Sequence, residues 1–479
     1  RSVVAAADPF LDMVGRASPP TFSSCIFQSV LLSCVHLWPS KALYDPETRL
    51  ESARLYGNVH YYAYYFVDLL VGSPPQNVSV IVDTGSQMVG FPCNHCKHCG
   101  RHIDPPFDFD KSSSAQWLEC NLESFCSGCV QDVCSYRNQY TEGSSFSGLW
   151  FSDVVRLGDL GQQNPAVHAM MGCHISETKL FYTQKANGIL GLGPGSAPGG
   201  KPTVLQDLFG DNKHVAYDVF SICLSLWGGK LTVGGYNASL HRKGSALKWL
   251  PMRISKYYRL DLREVQLAGR SIATLDFGAT IVDSGTTYTY FPGRVHDAIV
   301  DALLKYCNEG PGCGAKYDGQ KFFANRCWKL DEGMSFPVRF PPIHLQFGQN
   351  MIDEWSIHWG PEAYLYQIDN HGVWCHAFMD NGNDPSTVLG ASWMMFKDVV
   401  FDVSRSRLGV IDANCPEYWK EDDAHLFSKA ESLVIRDISE DVVPSMSKLR
   451  VFIIAAVGVL LICVGLVTTY RISTLRRLT

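Results

Sequence analysis

The chain has 479 residues, too many for a single ordinary core, which predicts two lobes or domains. Its apolar fraction of 46% fits a well-folded globular protein, and the formal net charge of -6 argues against nucleic acid as a partner. The chain has 17 cysteines, seven of which lie from Cys93 to Cys134, and this argues against a cytosolic protein unless the cysteines bind metal.

The N-terminal segment, residues 1–56, contains an apolar stretch at residues 25–37 that follows Arg16. Its length and apolarity predict the core of a signal peptide, with an ordinary apolar segment as the alternative. From Gly57 onward, short β-branched and aromatic runs alternate with Gly, Pro, Asn and Asp, which predicts a mostly-β fold. Amphipathic patterns predict helices at residues 202–210 and 293–307.

A phrase of six residues occurs twice in the chain. "IVDTGS" at residues 81–86 returns as "IVDSGT" at residues 281–286. Each copy is followed about a hundred residues later by an apolar-apolar-Gly element, "NGILGLG" at 187–193 and "STVLGAS" at 386–392. One such motif is expected by chance in many proteins, but two copies with matching partners predict duplicated lobes related by a pseudo-twofold axis.

The predicted lobes end where a polar C-terminal region begins. The N-terminal lobe is predicted at residues 57–225 and the C-terminal lobe at 226–415, followed by an acidic stalk at 416–450. Residues 451–470 carry no charge, and at about 1.5 Å per residue a helix of this length crosses a bilayer. An Arg-containing tail, residues 471–479, completes a single-pass pattern. Because the cysteines place the lobes in an oxidising lumen, we expect a type I protein of the ER or Golgi membrane.

The duplicated turns predict a pair of carboxylates. In pseudo-symmetric lobes, Asp83 and Asp283 would meet at the lobe interface. Two carboxylates about 3 Å apart share one proton, so the charged member can act as a general base for a water molecule. The protonated member can act as a general acid toward the oxygen of a scissile carbonyl. This chemistry needs no metal and no cofactor, and we predict neither.

The residues beside the two aspartates are predicted to support them in three ways. Glycines let the backbone approach the carboxylates closely, one hydroxyl residue in each turn bonds the two loops together, and another donates to the outer carboxylate oxygens. In that order the pairs are Gly85 with Gly285, Thr84 with Ser284, and Ser86 with Thr286.

The motifs "VDTGS", "VDSGTT", "GILGLG" and "VLGAS" resemble those of the pepsin-like aspartic proteases, over roughly residues 57–415. That family is the standard example of two aspartates sharing a proton. The resemblance implies a bilobal β fold with a long cleft under a β-hairpin flap. "YTEGSSFSG" at residues 140–148 matches the flap motif Tyr-x-x-Gly-Ser, which makes Tyr140 the flap tyrosine and Gly143 its turn glycine. Gly90 stands where the family usually has a tryptophan that holds the flap tyrosine, so Tyr140 must be held in another way.

A cysteine-rich insert occupies residues 93–134 and begins with "CNHCKHC". Zinc is one interpretation of this spacing, and disulfides are the expected one in a lumen. The insert resembles that of nepenthesin-type enzymes. Together with the flap and the C-terminal apolar segment, it resembles more closely the apicomplexan membrane-bound export proteases of the plasmepsin V type.

Those proteases cleave secretory polypeptides after the Leu of an Arg-x-Leu motif, and the resemblance implies the same substrates here. Glu142 would pair with the substrate Arg, and Gln184 would add a hydrogen bond on the same side. A solvated loop acid is the alternative for Glu142. Two different functions also fit the sequence, namely a surface or endosomal aspartic protease of broader specificity and an inactive cleft-bearing binding protein.

The remaining candidates concern covalent modification. The sequons at Asn77 and Asn237 are predicted glycosylation sites. Cys307 with Cys313, Cys223 with Cys415, and Cys327 with Cys375, which resembles a family bridge, are candidate disulfides. Connectivity within the insert stays open, as does the state of Cys173. The insert candidates are Cys93, Cys96, Cys99, Cys120, Cys126, Cys129 and Cys134.

Overall fold

The computed structural model describes residues 49–120, 126–140, 143–159, 164–196, 200–211, 215–274, 277–309, 312–317, 326–334, 336, 339–348, 355–368 and 372–420. All of these residues belong to one compact unit. The predicted signal segment 25–37, the membrane segment 451–470 and the tail 471–479 lie outside them, as do residues 421–450 of the predicted stalk. Within these ranges, no helix has both the length and the apolar character that crossing a membrane requires.

The described chain is mostly β, as predicted. The strands of the first half are β1 (Glu51–Asn58), β2 (Tyr64–Val71), β3 (Gln76–Asp83), β4 (Val89–Pro92), β5 (Gln116–Trp117), β6 (Gly128–Val130), β7 (Val133–Gln139), β8 (Ser145–Leu157), β9 (Ala166–Thr178), β10 (Gly188–Gly191), β11 (Val219–Leu224) and β12 (Gly229–Val233).

The second half is built in the same way from shorter strands. They are β13 (Lys248–Pro251), β14 (Arg253–Ile254), β15 (Tyr258–Leu260), β16 (Leu262–Leu267), β17 (Arg270–Ala273), β18 (Thr280–Val282), β19 (Thr289–Phe291), β20 (Ala315–Tyr317), β21 (Cys327–Leu330), β22 (Ile343–Phe347), β23 (Ser356–Trp359), β24 (Leu365–Gln367), β25 (Val373–His376), β26 (Phe378–Asp380), β27 (Thr387–Leu389), β28 (Lys397–Asp402) and β29 (Arg407–Asp412).

The helices are few and short apart from one. They are α1 (Leu180–Thr183), α2 (Val204–Gly210), α3 (Gly293–Glu309), α4 (Pro361–Tyr364) and α5 (Ala391–Met394). Helix α3 confirms the prediction at 293–307 and buries a stripe that includes Val295, Ile299 and Leu303. Helix α2 starts two residues later than predicted because Thr203 caps it, its hydroxyl accepting a hydrogen bond from the backbone N–H of Gln206.

The two halves repeat one strand arrangement around the duplicated motifs. In the first half, β10 runs parallel to β3 and antiparallel to β4. In the second half, β27 runs parallel to β18 and antiparallel to β19. The order of pairing is therefore the same in both halves, which fits the predicted duplication.

One sheet contains strands from both halves. Its order runs β13-β29-β28-β11-β12-β1 and continues through β2, β3, β10, β4 and β9 to β8, β7 and β6. The predicted boundary between residues 225 and 226 falls in the turn between β11 and β12, which are neighbours in this sheet. The lobes thus share a continuous hydrogen-bonded base.

All fourteen cysteines of the described ranges form disulfides. The pairs are Cys93–Cys173, Cys96–Cys99, Cys120–Cys129, Cys126–Cys134, Cys223–Cys415, Cys307–Cys313 and Cys327–Cys375. The three pairs predicted outside the insert are present, and Cys173 joins the insert cysteines. Paired sulfurs cannot serve as the thiolate ligands that the zinc interpretation of the insert requires.

The two sequons differ in their surroundings. Asn77 is half-buried on β3, and its amide nitrogen donates to Asp104 Oδ1 at 2.8 Å. Asn237 is half-buried too, but it caps a short 3₁₀ turn whose next two residues are exposed. Asn237 is therefore the more accessible of the two predicted glycosylation sites.

The first residues of the predicted stalk pack on the N-terminal half. Lys420 pairs with Asp68, and its ammonium lies 4.4 Å from the ring centroid of Tyr56. Glu417 accepts a hydrogen bond from Ser225 at 2.9 Å. These contacts attach residues 416–420 to the fold.

Glu51, on β1, generates a prediction about stability. Its side chain is fully buried, and neither carboxylate oxygen has a hydrogen-bond partner within the described ranges. Burial, and secondarily the charge of Asp211, raises the pKa of Glu51 from 4.5 to about 8. The unfolded chain therefore releases this proton at lower pH than the folded chain, and folding loses stability as pH rises from about 5 to 8.

We expect Glu51→Gln to abolish most of this pH dependence, on the order of 3–5 kcal/mol. Urea unfolding at pH 5 and pH 8 measures it, because a glutamine cannot titrate. The exposed Glu332→Gln is the matched control and should keep the wild-type difference between the two pH values. An unchanged pH dependence in Glu51→Gln would contradict the assignment.

Candidate active site

The site begins where two strands end in glycine turns. Strand β3 ends at Asp83, opposite Gly191 of β10, and β18 ends at Val282, opposite Leu389 of β27. The neighbouring turn leaves no room for a side chain at Gly191, where a Cβ would lie 2.4 Å from Met88 N. The same crowding at Gly390, with a Cβ 2.1 Å from Tyr288 O, explains the glycine in each apolar-apolar-Gly element.

Reciprocal hydrogen bonds join the two turns. The backbone N–H of Thr84 donates to Ser284 Oγ at 3.1 Å, and the N–H of Ser284 donates to Thr84 Oγ1 at 2.9 Å. Each hydroxyl also donates across the interface, Thr84 to Val282 O at 3.0 Å and Ser284 to Val82 O at 2.7 Å. Both side chains are buried, so water does not compete for these bonds.

Each aspartate is held by donors from its own turn. Asp83 accepts from the N–H of Gly85 at 2.7 Å on Oδ1 and from Ser86 Oγ at 2.5 Å on Oδ2. Asp283 accepts the equivalent bonds from Gly285 at 3.0 Å and from Thr286 at 2.7 Å. Both oxygens of each carboxylate are thereby fixed by equivalent donors.

The glycines also bring each turn against the opposite carboxylate. A Cβ added to Gly85 would lie 2.7 Å from Asp283 Oδ1, and one added to Gly285 would lie 2.4 Å from Asp83 Oδ1. The structure thus brings Asp83 and Asp283 together. Burial, followed by the negative charge of Asp283, raises the pKa of Asp83 well above its ordinary value. Such a pair retains one proton and can act as acid and base together.

A hairpin formed by β7 and β8 carries the predicted flap. At its tip the N–H of Tyr140 donates to Ser144 O, and the N–H of Gly143 donates to Tyr140 O, both at 2.9 Å. Gly143 has a φ of +86°, which favours glycine. Glu142 lies outside the described residues, so its predicted contact with a substrate Arg stays a prediction.

Gln184 lies at the end of α1, beside the insert. Its side-chain N–H donates to Ala186 O at 3.1 Å, and its backbone oxygen lies 3.1 Å from His102 Nδ1. The side-chain carbonyl oxygen is therefore the group that can accept a hydrogen bond from a substrate guanidinium. The structure fixes this residue to its own loop rather than to the carboxylate pair.

His174 is a residue of this region that the sequence reasoning missed. Its Nε2 would lie 2.7 Å from a Cβ on Gly90, so the histidine ring occupies space that a larger side chain at position 90 would need. The available signal was the "HISE" pattern at residues 174–177, which places a carboxylate three residues after the histidine. The two groups do bond, His174 Nδ1 lying 2.7 Å from Glu177 Oε1.

A cavity of 330 Å³ lies between the Asp83 turn and the flap strands. Its walls include Ser86 and Met88 from the turn and Tyr136 and Trp150 from the hairpin. Polar side chains, among them Gln87, Arg137 and Asn138, line the rest of it. The cavity therefore combines apolar and polar surface next to Ser86, which holds the Asp83 carboxylate.

Comparison with known proteins identifies aspartic proteases, in agreement with the paired aspartates of the site. The profile of the eukaryotic aspartyl proteases matches residues 64–413. Aspartic protease 5 of Toxoplasma gondii is 37% identical over 386 residues, covering 77% of this chain and 38% of that protein. Plasmepsin V of Plasmodium falciparum is 28% identical over 448 residues, covering 76% and 73%. The chain thus spans well under half of the Toxoplasma relative and about three quarters of the Plasmodium one.

The Asp83 environment generates a prediction about pH dependence. Ser86 donates to the charged form of Asp83 and so opposes the effects of burial and of Asp283 on its pKa. In Ser86→Ala the pKa of Asp83 should rise further, and the pair should keep its shared proton to higher pH. We expect the alkaline limb of kcat/KM for peptide hydrolysis to move up by about half a unit to one unit.

Ser404→Ala is the matched control for this measurement. Ser404 also donates a hydroxyl to an aspartate, Asp402, at 3.0 Å, in the turn between β28 and β29. Its loss should leave the pH profile of kcat/KM unchanged. A Ser86→Ala profile identical to that of the wild type would show that this hydroxyl does not set the titration of the pair.

Proposed function

Because the chain belongs to the eukaryotic aspartyl protease family, we propose that it is a membrane-anchored endopeptidase of the secretory pathway. We propose further that it cleaves exported polypeptides after the Leu of an Arg-x-Leu motif. The observation that carries the hydrolytic assignment is the pair of buried, cross-bonded turns that set Asp83 against Asp283.

Hydrolysis follows from one shared proton. The charged aspartate removes a proton from a water molecule, whose oxygen attacks the scissile carbonyl carbon, while the protonated aspartate donates to the carbonyl oxygen. When the tetrahedral intermediate collapses, the C–N bond breaks and the aspartate that took the water proton donates it to the leaving nitrogen. The other aspartate, now charged, takes a proton from a hydroxyl of the intermediate as the new carboxyl group forms. Both carboxylates then return to their starting forms. Closure of the flap with Tyr140 excludes bulk water and strengthens these charge interactions.

Two features support the proposed specificity. Met88 and Trp150 form the apolar part of the cavity beside Ser86, and that part can contact a leucine side chain. The remaining walls, which include Gln87 and Asn138, are polar and can bond the substrate backbone. Glu142 follows the flap tyrosine by two residues, where a carboxylate can form a bidentate pair with a guanidinium. A lysine ammonium cannot form that planar pair, so the proposal discriminates Arg from Lys.

The cysteines and the C-terminal segment support the anchored arrangement. Seven disulfides in the described ranges are typical of an oxidising compartment. The uncharged residues 451–470 have the length of a membrane span. Together they support lobes in the lumen of the ER or Golgi and a tail in the cytosol.

The specificity is tested by cleavage of paired peptides that differ only in Arg-x-Leu against Lys-x-Leu. We expect the lysine peptide to lose at least about tenfold in kcat/KM, because a charge-assisted pair contributes more than about 1.4 kcal/mol. Glu142→Gln should lower cleavage of the arginine peptide and reduce the discrimination. Glu332→Gln, an exposed acid on another loop, serves as control. Equal cleavage of both peptides by the wild type would refute arginine recognition, and cleavage by Asp83→Ala would refute the dyad.

The anchored arrangement is tested in microsomes that contain the full chain with an epitope after Thr479. Added protease should remove the epitope and leave the lobes intact until detergent is added. A chain ending at Arg450 should be released by alkaline carbonate, whereas the full chain should stay in the pellet. Release of the full chain by carbonate, or digestion of the lobes without detergent, would contradict the proposed topology.

A further inference from the structure

A histidine takes the place behind the flap that Gly90 leaves open. His174, on β9, is fully buried, and its ring stacks on Phe146 with centroids 4.3 Å apart and an interplanar angle of 16°. Nδ1 of the ring lies 2.7 Å from Glu177 Oε1. The ring is therefore oriented by the Glu177 carboxylate at one edge and by the Phe146 ring stacked on its face.

Glu177 connects this histidine to the cysteine-rich insert. Its Oε2 lies 3.0 Å from His102 Nε2, and the N–H of Gly100 donates to the same oxygen at 3.3 Å. The backbone of Glu177 also bonds the insert, because its N–H donates to His98 O at 2.7 Å. His98 lies within the small loop closed by the Cys96–Cys99 disulfide, and Gly100 and His102 directly follow that loop.

On the other side, the histidine supports the flap tyrosine through two phenylalanines. Phe146 meets Phe181 edge-to-face at 4.7 Å between centroids. The ring of Tyr140 lies 5.1 Å from Phe181 and 5.8 Å from Phe146. A continuous series of contacts thus runs from the insert through Glu177 and His174 to Tyr140.

The charges in this series suit a rigid support. Burial lowers the pKa of His174, against the opposing effect of Glu177. Burial acts to raise the pKa of Glu177, but the hydrogen bonds and the electrostatic effects of His102 and His174 together lower that pKa. The titratable groups around His174 are Glu177 of its own strand, His102 of the insert, and Tyr136 of β7, whose ring lies 6.2 Å away. A charged carboxylate that accepts several hydrogen bonds restrains each donor to one geometry.

We propose that His174 and Glu177 are positioning residues for the flap. They fix the Phe146–Phe181 surface on which Tyr140 rests, and they tie that surface to the first loop of the cysteine-rich insert. The insert then supports the flap through β9. The inference rests on the peptide hydrolysis proposed above, and it does not depend on the Arg-x-Leu motif.

The test compares His174→Phe with the wild type in the full chain. Phenylalanine keeps a ring against Phe146 but removes the donor to Glu177. The substrate is an internally quenched peptide selected from a mixture as one that the wild type cleaves. We expect kcat to fall about ten- to a hundredfold, because small misplacements of closing elements cost that much, while KM changes less than about threefold. Amide hydrogen exchange in the flap, residues 140–148, should become faster.

His241→Phe is the matched control. His241 Nε2 lies 3.0 Å from the buried carboxylate of Asp398, a pair of the same kind far from the flap in sequence. This variant should lose stability yet keep the wild-type kcat and flap exchange. Equal loss of kcat in the two variants, or wild-type flap exchange in His174→Phe, would overturn the proposal.

A second pair of variants covers the case in which His174→Phe does not fold. His102→Gln keeps an N–H that can donate to Glu177 Oε2, whereas His102→Leu does not. We expect faster flap exchange and lower kcat in the leucine variant and near wild-type values in the glutamine variant. Identical behaviour of the two would contradict the proposal. If the wild type cleaved no peptide, the proposed function would fail, and flap exchange in these variants would still decide the role of the network.

Discussion

Four hydrogen bonds between Thr84 and Ser284 and the strands beneath them hold together two turns that lie 200 residues apart in the chain. The rest of the site depends on this contact, since neither aspartate can share a proton without the other. Glycines on both sides allow it, because a single Cβ at Gly85 or Gly285 would collide with the opposing carboxylate. The shared sheet beneath the turns then keeps the two halves from separating.

The features that could be predicted from sequence are those set by local chemistry. An Asp followed by a hydroxyl residue and a glycine, at the end of an apolar run, specifies a strand and a tight turn wherever it occurs. The amphipathic spacing of α3 specifies a helix in the same local way. Because the turn occurs twice, the sequence also predicted one long-range contact, the one between Asp83 and Asp283.

Other features depend on contacts that no local pattern encodes. Cys93 meets Cys173 because β4 and β9 run parallel and adjacent, an alignment set by the whole sheet. The support for Tyr140 was hidden for the same reason. Gly90 showed in the sequence that the usual tryptophan is absent. The histidine that fills the space, His174, lies 84 residues later on another strand, and Glu177 orients its ring.

The bridge between Cys223 and Cys415 has a consequence for cleaved forms of the protein. It closes a loop with a sequence separation of 192 residues, and Asp283 lies inside that loop. A break in the chain anywhere between these cysteines, for instance in an exposed turn of the second half, leaves both aspartates on one covalently joined molecule. Such a nicked protein would migrate as a single species until its disulfides are reduced. Whether the two aspartates stay on one molecule after a break therefore depends on the redox state of the Cys223–Cys415 bridge.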